Sequence, residues 1–146
     1  MKKGLKGVAL TDHGCISGHV EFIEAYNKIK EDNKDFRIAL GEEVYVIEEI
    51  QDKKIFKHLV LLAKDKIGYQ QLREISSMEW ENHMTFNGVE RVFVTKQQLF
   101  DKIKENPGHI IASTACIGGI LGKDILQMRE VANTDLLKRK IMKEIN

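Results

Sequence analysis

Short apolar runs alternate along this chain with amphipathic segments of helical period, and this alternation restricts the possible folds more than any other feature of the sequence. The first run, residues 5–11, contains Val8, Ala9 and Leu10 in succession, as in a strand buried on both faces. Further extended runs cover residues 36–49, 57–63 and 109–114. Strands that take turns with helices predict an α/β domain with a largely parallel sheet.

Helical patterns lie between these strands and begin at polar residues. Three residues stand where helix N-caps are expected, namely Ser17, Asp65 and Thr95. The helix after Asp65 is predicted to end near Ser77, and residues 78–93 have no clear period, which predicts an irregular connection. Pro107 and Gly108 end the helix that Thr95 begins.

The length and composition suit one domain with a terminal extension. The chain has 146 residues, of which 42% are hydrophobic and 31% charged, as in folded globular proteins. Residues 1–130 carry the alternating pattern and form the expected domain. Residues 131–146 predict a basic amphipathic helix, with Leu137, Ile141 and Ile145 at four-residue spacing. We expect this helix to continue into a region beyond the chain.

Charge and hydropathy exclude several classes of protein. Lys and Arg number 23 against 22 Asp and Glu, so a net charge of +1 offers no basic surface for a polyanion. No apolar run approaches the roughly 20 residues that span a bilayer, and no signal peptide follows Met1, so we expect a cytoplasmic protein. The two cysteines, Cys15 and Cys116, are too few for a disulfide framework.

Two of the five histidines stand out by position, because His13 and His58 lie at strand ends beside strong apolar runs. The carboxyl ends of parallel strands meet at one rim, where His13, Glu43 and Cys116 could come together. His58 begins its strand, so it joins them only if that strand is antiparallel or the preceding loop bends inward. The other histidines and Cys15 are expected to be structural or on the surface.

Imidazole, carboxylate and thiolate groups together suit Zn or Mn, and such a cluster can support phosphate ester hydrolysis. Asp12 would then support His13. Simpler interpretations stay open at this point. The Thr-Asp-His-Gly stretch at residues 11–14 is equally typical of an ordinary turn. Cys116 equally fits a small buried apolar residue, and Glu42 and Glu43 equally fit solvated acids. Residues 118–119 are a loop rather than a phosphate cradle.

Residues 5–14 contain Thr-Asp-His-Gly, residues 41–46 read Gly-Glu-Glu-Val-Tyr-Val, and residues 112–119 read Ala-Ser-Thr-Ala-Cys-Ile-Gly-Gly. Together with residues 58–64, these four stretches resemble one family: the PHP (polymerase and histidinol phosphatase) domain at the amino end of the alpha subunit of bacterial DNA polymerase III. Their order is also that of the family, over roughly residues 4–122. This agreement of order and spacing is more specific than any one motif.

The resemblance implies a partial PHP-type distorted (β/α) barrel beside a polymerase core. It implies that His13, Glu43, His58 and Cys116 bind a divalent metal, Zn or Mn, and that Asp12 supports His13. In some members of the family this site hydrolyses phosphodiesters as a proofreading 3′–5′ exonuclease, and in others it is only structural.

The sequence also departs from the family. The family's His-x-His and Asp-x-His pairs do not occur in it, nor do the polymerase carboxylates, so we expect an incomplete, weakly binding site and an isolated chain that neither polymerises nor hydrolyses. The expected partners are the remainder of the polymerase alpha subunit, other replication proteins, and DNA through the complete subunit. Two alternatives stand beside this interpretation: a stand-alone metal-dependent phosphoesterase of the same superfamily and a non-catalytic scaffold.

Overall fold

Strands and helices are interspersed along the folded chain, which confirms the predicted α/β class. The computed structural model describes residues 4–48, 56–86, 88–130 and 134–145. The elements are β1 (Gly7–His13), α1 (His19–Ile29), β2 (Arg37–Ile47), β3 (Lys57–Ala63), α2 (Lys66–Glu81), β4 (Met84–Phe86), β5 (Val89–Arg91), β6 (Val94–Thr95), α3 (Lys96–Glu105), β7 (Ile110–Ser113), α4 (Ile120–Glu130) and α5 (Thr134–Ile145).

The main sheet is mixed rather than largely parallel. Its strand order is β1-β2-β3-β7, with β6 also paired to β2. Strands β1 and β6 run parallel to β2, whereas β3 runs antiparallel to both β2 and β7. The stretch between Ile47 and Lys57 is shorter than the roughly dozen residues that a parallel crossover requires, which explains the reversal. The carboxyl ends of β1, β2 and β7 therefore share one edge of the sheet with the amino end of β3.

The strand order bears on the expected barrel. Over the residues that the structure describes, β1 and β7 end the order and do not pair with each other. The sheet is thus open in this part of the chain, and the partial barrel stays a proposal.

The core lies between α2 and one face of the sheet. Val44 of β2 and Leu61 of β3 are fully buried against Leu72 and Ile75 of α2. Successive strand residues point to opposite faces, so the neighbours of these apolar residues, Glu43 among them, point to the other face. Burial of these side chains holds β2 and β3 at a fixed distance from α2.

Two of the three predicted N-caps are confirmed. Asp65 accepts a hydrogen bond from Gly68 N at 3.0 Å, and Thr95 forms a complete capping box with Gln98. The Ser17 prediction is wrong, because α1 begins after Gly18 without a side-chain cap.

The α2 helix is longer than predicted. It runs on to Glu81, and β4 and β5 form a hairpin where an irregular connection was expected. The polar residues Ser76 and Ser77 suggested an end to the apolar stripe, but Ser76 and the following Glu79 are both buried in the helix. The helix continues because β2 supplies partners for these polar side chains, as described below.

The predicted terminal helix is present as α5. Its expected boundary at residue 131 lies outside the described residues. Glu144 of α5 contacts Lys96 at 2.8 Å and Lys57 at 4.0 Å, and its side chain is 8% exposed. Lys140 lies 3.3 Å from the buried Asp124 of α4. Charged contacts thus attach α5 to the rest of the domain.

Candidate metal centre

Each predicted donor lies near one edge of the sheet. His13 is the last residue of β1, and its register partner on β2 is Glu43. His58 is the second residue of β3 and pairs with Tyr45 of β2. Cys116 follows the end of β7 in a loop. Since register partners point to the same face of a sheet, these positions direct the donors toward one another on the face opposite α2.

The reversed direction of β3 explains why His58 joins the group. The sequence allowed this only with an antiparallel strand or a bent loop, and the strand is antiparallel. His58 N also donates to Gly118 O at 3.1 Å, which draws the loop after β7 toward the start of β3. The loop carries Cys116 to the imidazole in this way.

Three donor atoms converge. One ligand atom from each of Glu43, His58 and Cys116 lies within 4.8 Å of the others. His58 Nδ1 is 2.8 Å from Glu43 Oε1 and 3.3 Å from Cys116 Sγ. The Glu43 side chain is 13% exposed and that of His58 28%, so solvent reaches the group from one side.

His13 approaches the same carboxylate from its other oxygen. Its Nδ1 lies 3.2 Å from Glu43 Oε2, and the imidazole is 69% exposed. Glu43 therefore has one oxygen toward each histidine. The structure brings Glu43, His58 and Cys116 together and places His13 next to them, across the carboxylate.

The loop around Cys116 is tightly folded. Ala115 has a φ of 56°, a left-handed conformation that is uncommon outside glycine. Gly119 N donates to Cys116 O at 2.8 Å, and Gly118 N lies 3.3 Å from Cys116 Sγ. A Cβ at Gly118 would stand 3.3 Å from the His58 ring and 3.5 Å from Cys116 Sγ. The two glycines thus let the backbone pass close to the donors, and the thiol is exposed rather than buried in the core.

The donor set fits a divalent metal. Carboxylate oxygen, imidazole nitrogen and thiolate sulfur are the ligands found around zinc, and three protein ligands with an open position are typical of zinc sites that also bind water. Manganese accepts the carboxylate and imidazole but has less preference for sulfur. Bound metal would separate the donor atoms that now contact one another.

Asp12 lies on the opposite face of β1 from His13. Its Oδ2 accepts a hydrogen bond from Gly18 N at 3.0 Å, at the start of α1. Its predicted support of His13 stays a prediction. The contact with Gly18 shows that Asp12 fixes the loop that follows His13.

A buried pair of acids lies behind the donors and was not expected from the sequence. Glu42 and Glu79 are both fully buried. Glu42 Oε1 accepts from Ser76 Oγ at 2.9 Å, and Glu79 Oε1 accepts from Tyr45 N at 2.8 Å. Burial raises the pKa of Glu42 to about 7, with a further contribution from the Asp12 charge. Burial and the neighbouring Glu42 raise the pKa of Glu79 to about 9.

The second oxygen of each acid indicates that the two carboxyl groups share a proton. Glu42 Oε2 and Glu79 Oε2 are buried, and neither accepts a hydrogen bond while both acids are ionised. The two side chains are close enough to hydrogen-bond once one of them carries a proton. Pairs of acids on a strand and a helix are usually solvated, and only the contact of α2 with β2 reveals this one.

Candidate donors from three strands and a loop thus gather on one face of a mixed sheet, in an arrangement whose chemistry fits a metal. The sequence matches the PHP domain family over residues 1–145, and the chain therefore belongs to that family. The probable DNA polymerase YorL of Bacillus subtilis (strain 168) is 32% identical over 145 residues, which cover 92% of this chain and 11% of that protein.

Two further relatives are DNA polymerase III alpha subunits. That of Borreliella burgdorferi is 31% identical over 144 residues, covering 93% of this chain and 11% of the relative. That of Chlamydia muridarum is 30% identical over 141 residues, covering 91% and 10%. The resemblance to the PHP region of these polymerases is thus confirmed, and this chain spans about a tenth of their length. None of the helices in the described ranges is long and apolar enough to cross a membrane.

Proposed function

We propose that this chain serves as the metal-binding PHP portion of a DNA polymerase of the polymerase III alpha type and takes part in DNA replication. The similarity to such polymerases over almost the whole chain supports this role. The convergence of Glu43, His58 and Cys116 is the observation that carries the proposal, because their donor atoms lie close enough together to share one metal ion.

Glu43, His58 and Cys116 would hold one Zn or Mn ion. His13 would contribute from the far side of the carboxylate, since Glu43 presents a separate oxygen to it. A bound divalent ion supplies Lewis acidity toward a phosphoryl oxygen and lowers the pKa of bound water. The chain's own contribution is to fix the carboxylate between two imidazoles and to leave the group open to solvent on one side.

We infer that this chain alone neither polymerises DNA nor hydrolyses phosphodiesters. The His-x-His and Asp-x-His pairs that the PHP family uses for metals do not occur in this sequence. A site with fewer donors holds its metals less firmly and orients bound water less well. Cytoplasmic location, association with the remainder of a polymerase alpha subunit and with replication proteins, and access to DNA through that subunit belong to the same proposal.

Metal analysis of the purified protein tests the metal-binding part. After dialysis against Zn or Mn, we expect bound metal in the wild type and its loss in His58→Ala. His109→Ala is the matched control, because His109 contacts Asp65 near the opposite end of β7. Wild-type protein without bound metal would overturn the assignment.

Sequencing the DNA on both sides of the reading frame tests the polymerase part. We expect flanking sequence, in the same or a neighbouring frame, that encodes the remaining PHP motifs and the polymerase carboxylates. Flanks that encode unrelated proteins would contradict the polymerase role. A release of phosphate by the metal-loaded chain would then favour the stand-alone phosphoesterase, and metal-independent stability would favour the scaffold.

A further inference from the structure

The last turns of α2 reach toward the metal centre from the other side of the sheet. Two consecutive residues, Glu79 and Trp80, lie there. Glu79 is fully buried, whereas Trp80 is half exposed. Each side chain binds the backbone of a residue that closely follows a candidate metal ligand.

Glu79 fills a gap in the backbone hydrogen bonding of β2. Strand β1 pairs with β2 as far as Glu43, and β6 begins to pair with it at Val46. Between these partners, Tyr45 N donates to Glu79 Oε1 at 2.8 Å. The carboxyl group therefore acts in place of a neighbouring strand just beyond Glu43, where an unpaired N–H would be costly.

Trp80 holds the turn that follows His13. Its indole Nε1 donates to Gly14 O at 3.1 Å. Gly14 has a φ of +60°, and its own N–H donates to Glu43 O at 3.0 Å. The residue after His13 is thus tied both to Glu43 and to α2.

A ring contact extends the arrangement to the third donor. The Tyr45 and His58 rings meet edge to face, with 5.0 Å between their centroids and 80° between their planes. Because Glu79 fixes the backbone of Tyr45, it also fixes the ring against which His58 packs.

We propose that Glu79 and Trp80 are positioning residues for the metal centre, setting the separation of His13, Glu43 and His58 through Gly14 and Tyr45. This inference rests on the proposed metal-binding function. It makes two predictions that a purely structural role does not make: replacing either residue changes the affinity and geometry of bound metal, and binding of metal protects the two hydrogen bonds.

Cobalt binding is a suitable measurement, because Co²⁺ absorption reports both occupancy and ligand geometry. Glu79→Gln keeps an oxygen acceptor for Tyr45 N, whereas Glu79→Leu removes it. Trp80→Phe removes the indole donor. Ser77→Ala is the matched control on the same helix, since Ser77 is exposed and bonds Arg73 O within the helix.

We expect the wild type, Glu79→Gln and Ser77→Ala to bind Co²⁺ with similar affinity and spectra. Glu79→Leu and Trp80→Phe should bind about 10-fold more weakly and with altered spectra, as when a residue that orients a metal ligand is lost. Thermal unfolding without metal identifies the temperature at which every variant is folded. Wild-type binding that neither Glu79→Leu nor Trp80→Phe changes would overturn this inference alone, whereas absent wild-type binding would overturn the proposed function.

Hydrogen exchange in the wild type provides a second test that needs no variant. Coupling between two sites is reciprocal, so metal should slow exchange of the Tyr45 amide and the Trp80 indole N–H. The amides of β4 and β5 serve as the comparison. If metal left the exchange rates of the Tyr45 amide and the Trp80 indole N–H unchanged, the positioning role would be contradicted. This result does not depend on whether a variant folds.

Discussion

Glu43 and His58 lie on neighbouring strands that run in opposite directions, and their side chains meet with 2.8 Å between Glu43 Oε1 and His58 Nδ1. Along the ladder they are offset by two residues, because His58 is opposite Tyr45 and Glu43 is opposite Val60. A slip of one residue would turn His58 toward α2 and away from the carboxylate. The candidate metal centre therefore depends on the register that burial of Val44 and Leu61 maintains.

Cys116→Ser should reduce zinc affinity by more than roughly 10-fold, since a lost ligand should cost at least as much as a lost supporting contact. Manganese affinity should fall less, because thiolate selects the softer metal. Calorimetric titration with each metal measures both effects. Cys15→Ser is the control, because Cys15 lies near Ser17 and outside the donor group. An equal loss for both metals would count against sulfur coordination.

Gly119→Ala should destabilise the protein by roughly 2 kcal/mol and weaken metal binding, as expected for overpacking. A Cβ there would stand 1.9 Å from Thr114 O, in the loop that holds Cys116. Denaturant unfolding with and without zinc measures the two effects.

Gly88→Ala provides the comparison for this substitution. A Cβ at Gly88 meets nothing within 4 Å, although its φ of +76° is unfavourable for alanine. We expect a cost of about 1 kcal/mol from backbone strain and unchanged metal affinity. If Gly119→Ala left zinc affinity at the wild-type value, the loop would not be needed to place Cys116.

The α/β class depends on local sequence and was predictable, because apolar runs marked the strands. The candidates His13 and His58 stood out at strand ends, whereas Glu43 lies inside β2 and its assignment as a candidate depended largely on the resemblance to the PHP family. Strand direction was not predicted, although the short connection between the second and third apolar runs already disfavoured a parallel pair. The sequence offered two ways for His58 to join the group, and only the pairing of β3 with β2 decided between them.

Glu42, Glu79 and Trp80 could not be predicted in the same way. A glutamate is usually solvated, and Glu79 lay in the stretch 78–93 that was predicted to be an irregular connection rather than part of α2. Their roles depend on contacts between α2 and residues more than thirty positions away, such as Tyr45. The capping signal at Asp65 located the start of α2 but did not indicate how far the helix continues.

Glu144→Ala should destabilise the protein by about 2 kcal/mol, because it leaves the mostly buried Lys57 ammonium with less compensation. Burial alone would raise the pKa of Glu144, but its hydrogen bond with Lys96 and the nearby charges hold the pKa below the ordinary 4.5. The contribution of Glu144 is therefore present above pH 4.5 and lost as the pH falls through its lowered pKa. Thermal unfolding at neutral pH measures the effect.

Lys143→Ala tests whether this loss is specific to the buried contact. Lys143 lies on the same helix and is exposed, so its removal should change the midpoint of unfolding very little. Equal midpoints for Glu144→Ala and the wild type would show that α5 does not depend on the contact with Lys57 and Lys96.

Raising the pH from about 5 to 9 should lower the stability of the metal-free protein, because Glu42 and Glu79 bind protons more tightly when folded than when unfolded. Their pKa values are raised from 4.5 to about 7 and about 9, so the stabilisation is complete below pH 4.5 and is lost as the pH rises through those values. Glu79→Gln resembles the protonated acid and should flatten the upper part of this dependence, with a midpoint of unfolding several degrees above the wild type near pH 9. Ser77→Ala should retain the wild-type slope. Parallel wild-type and Glu79→Gln profiles from pH 7 to 9 would mean that Glu79 does not carry the proton.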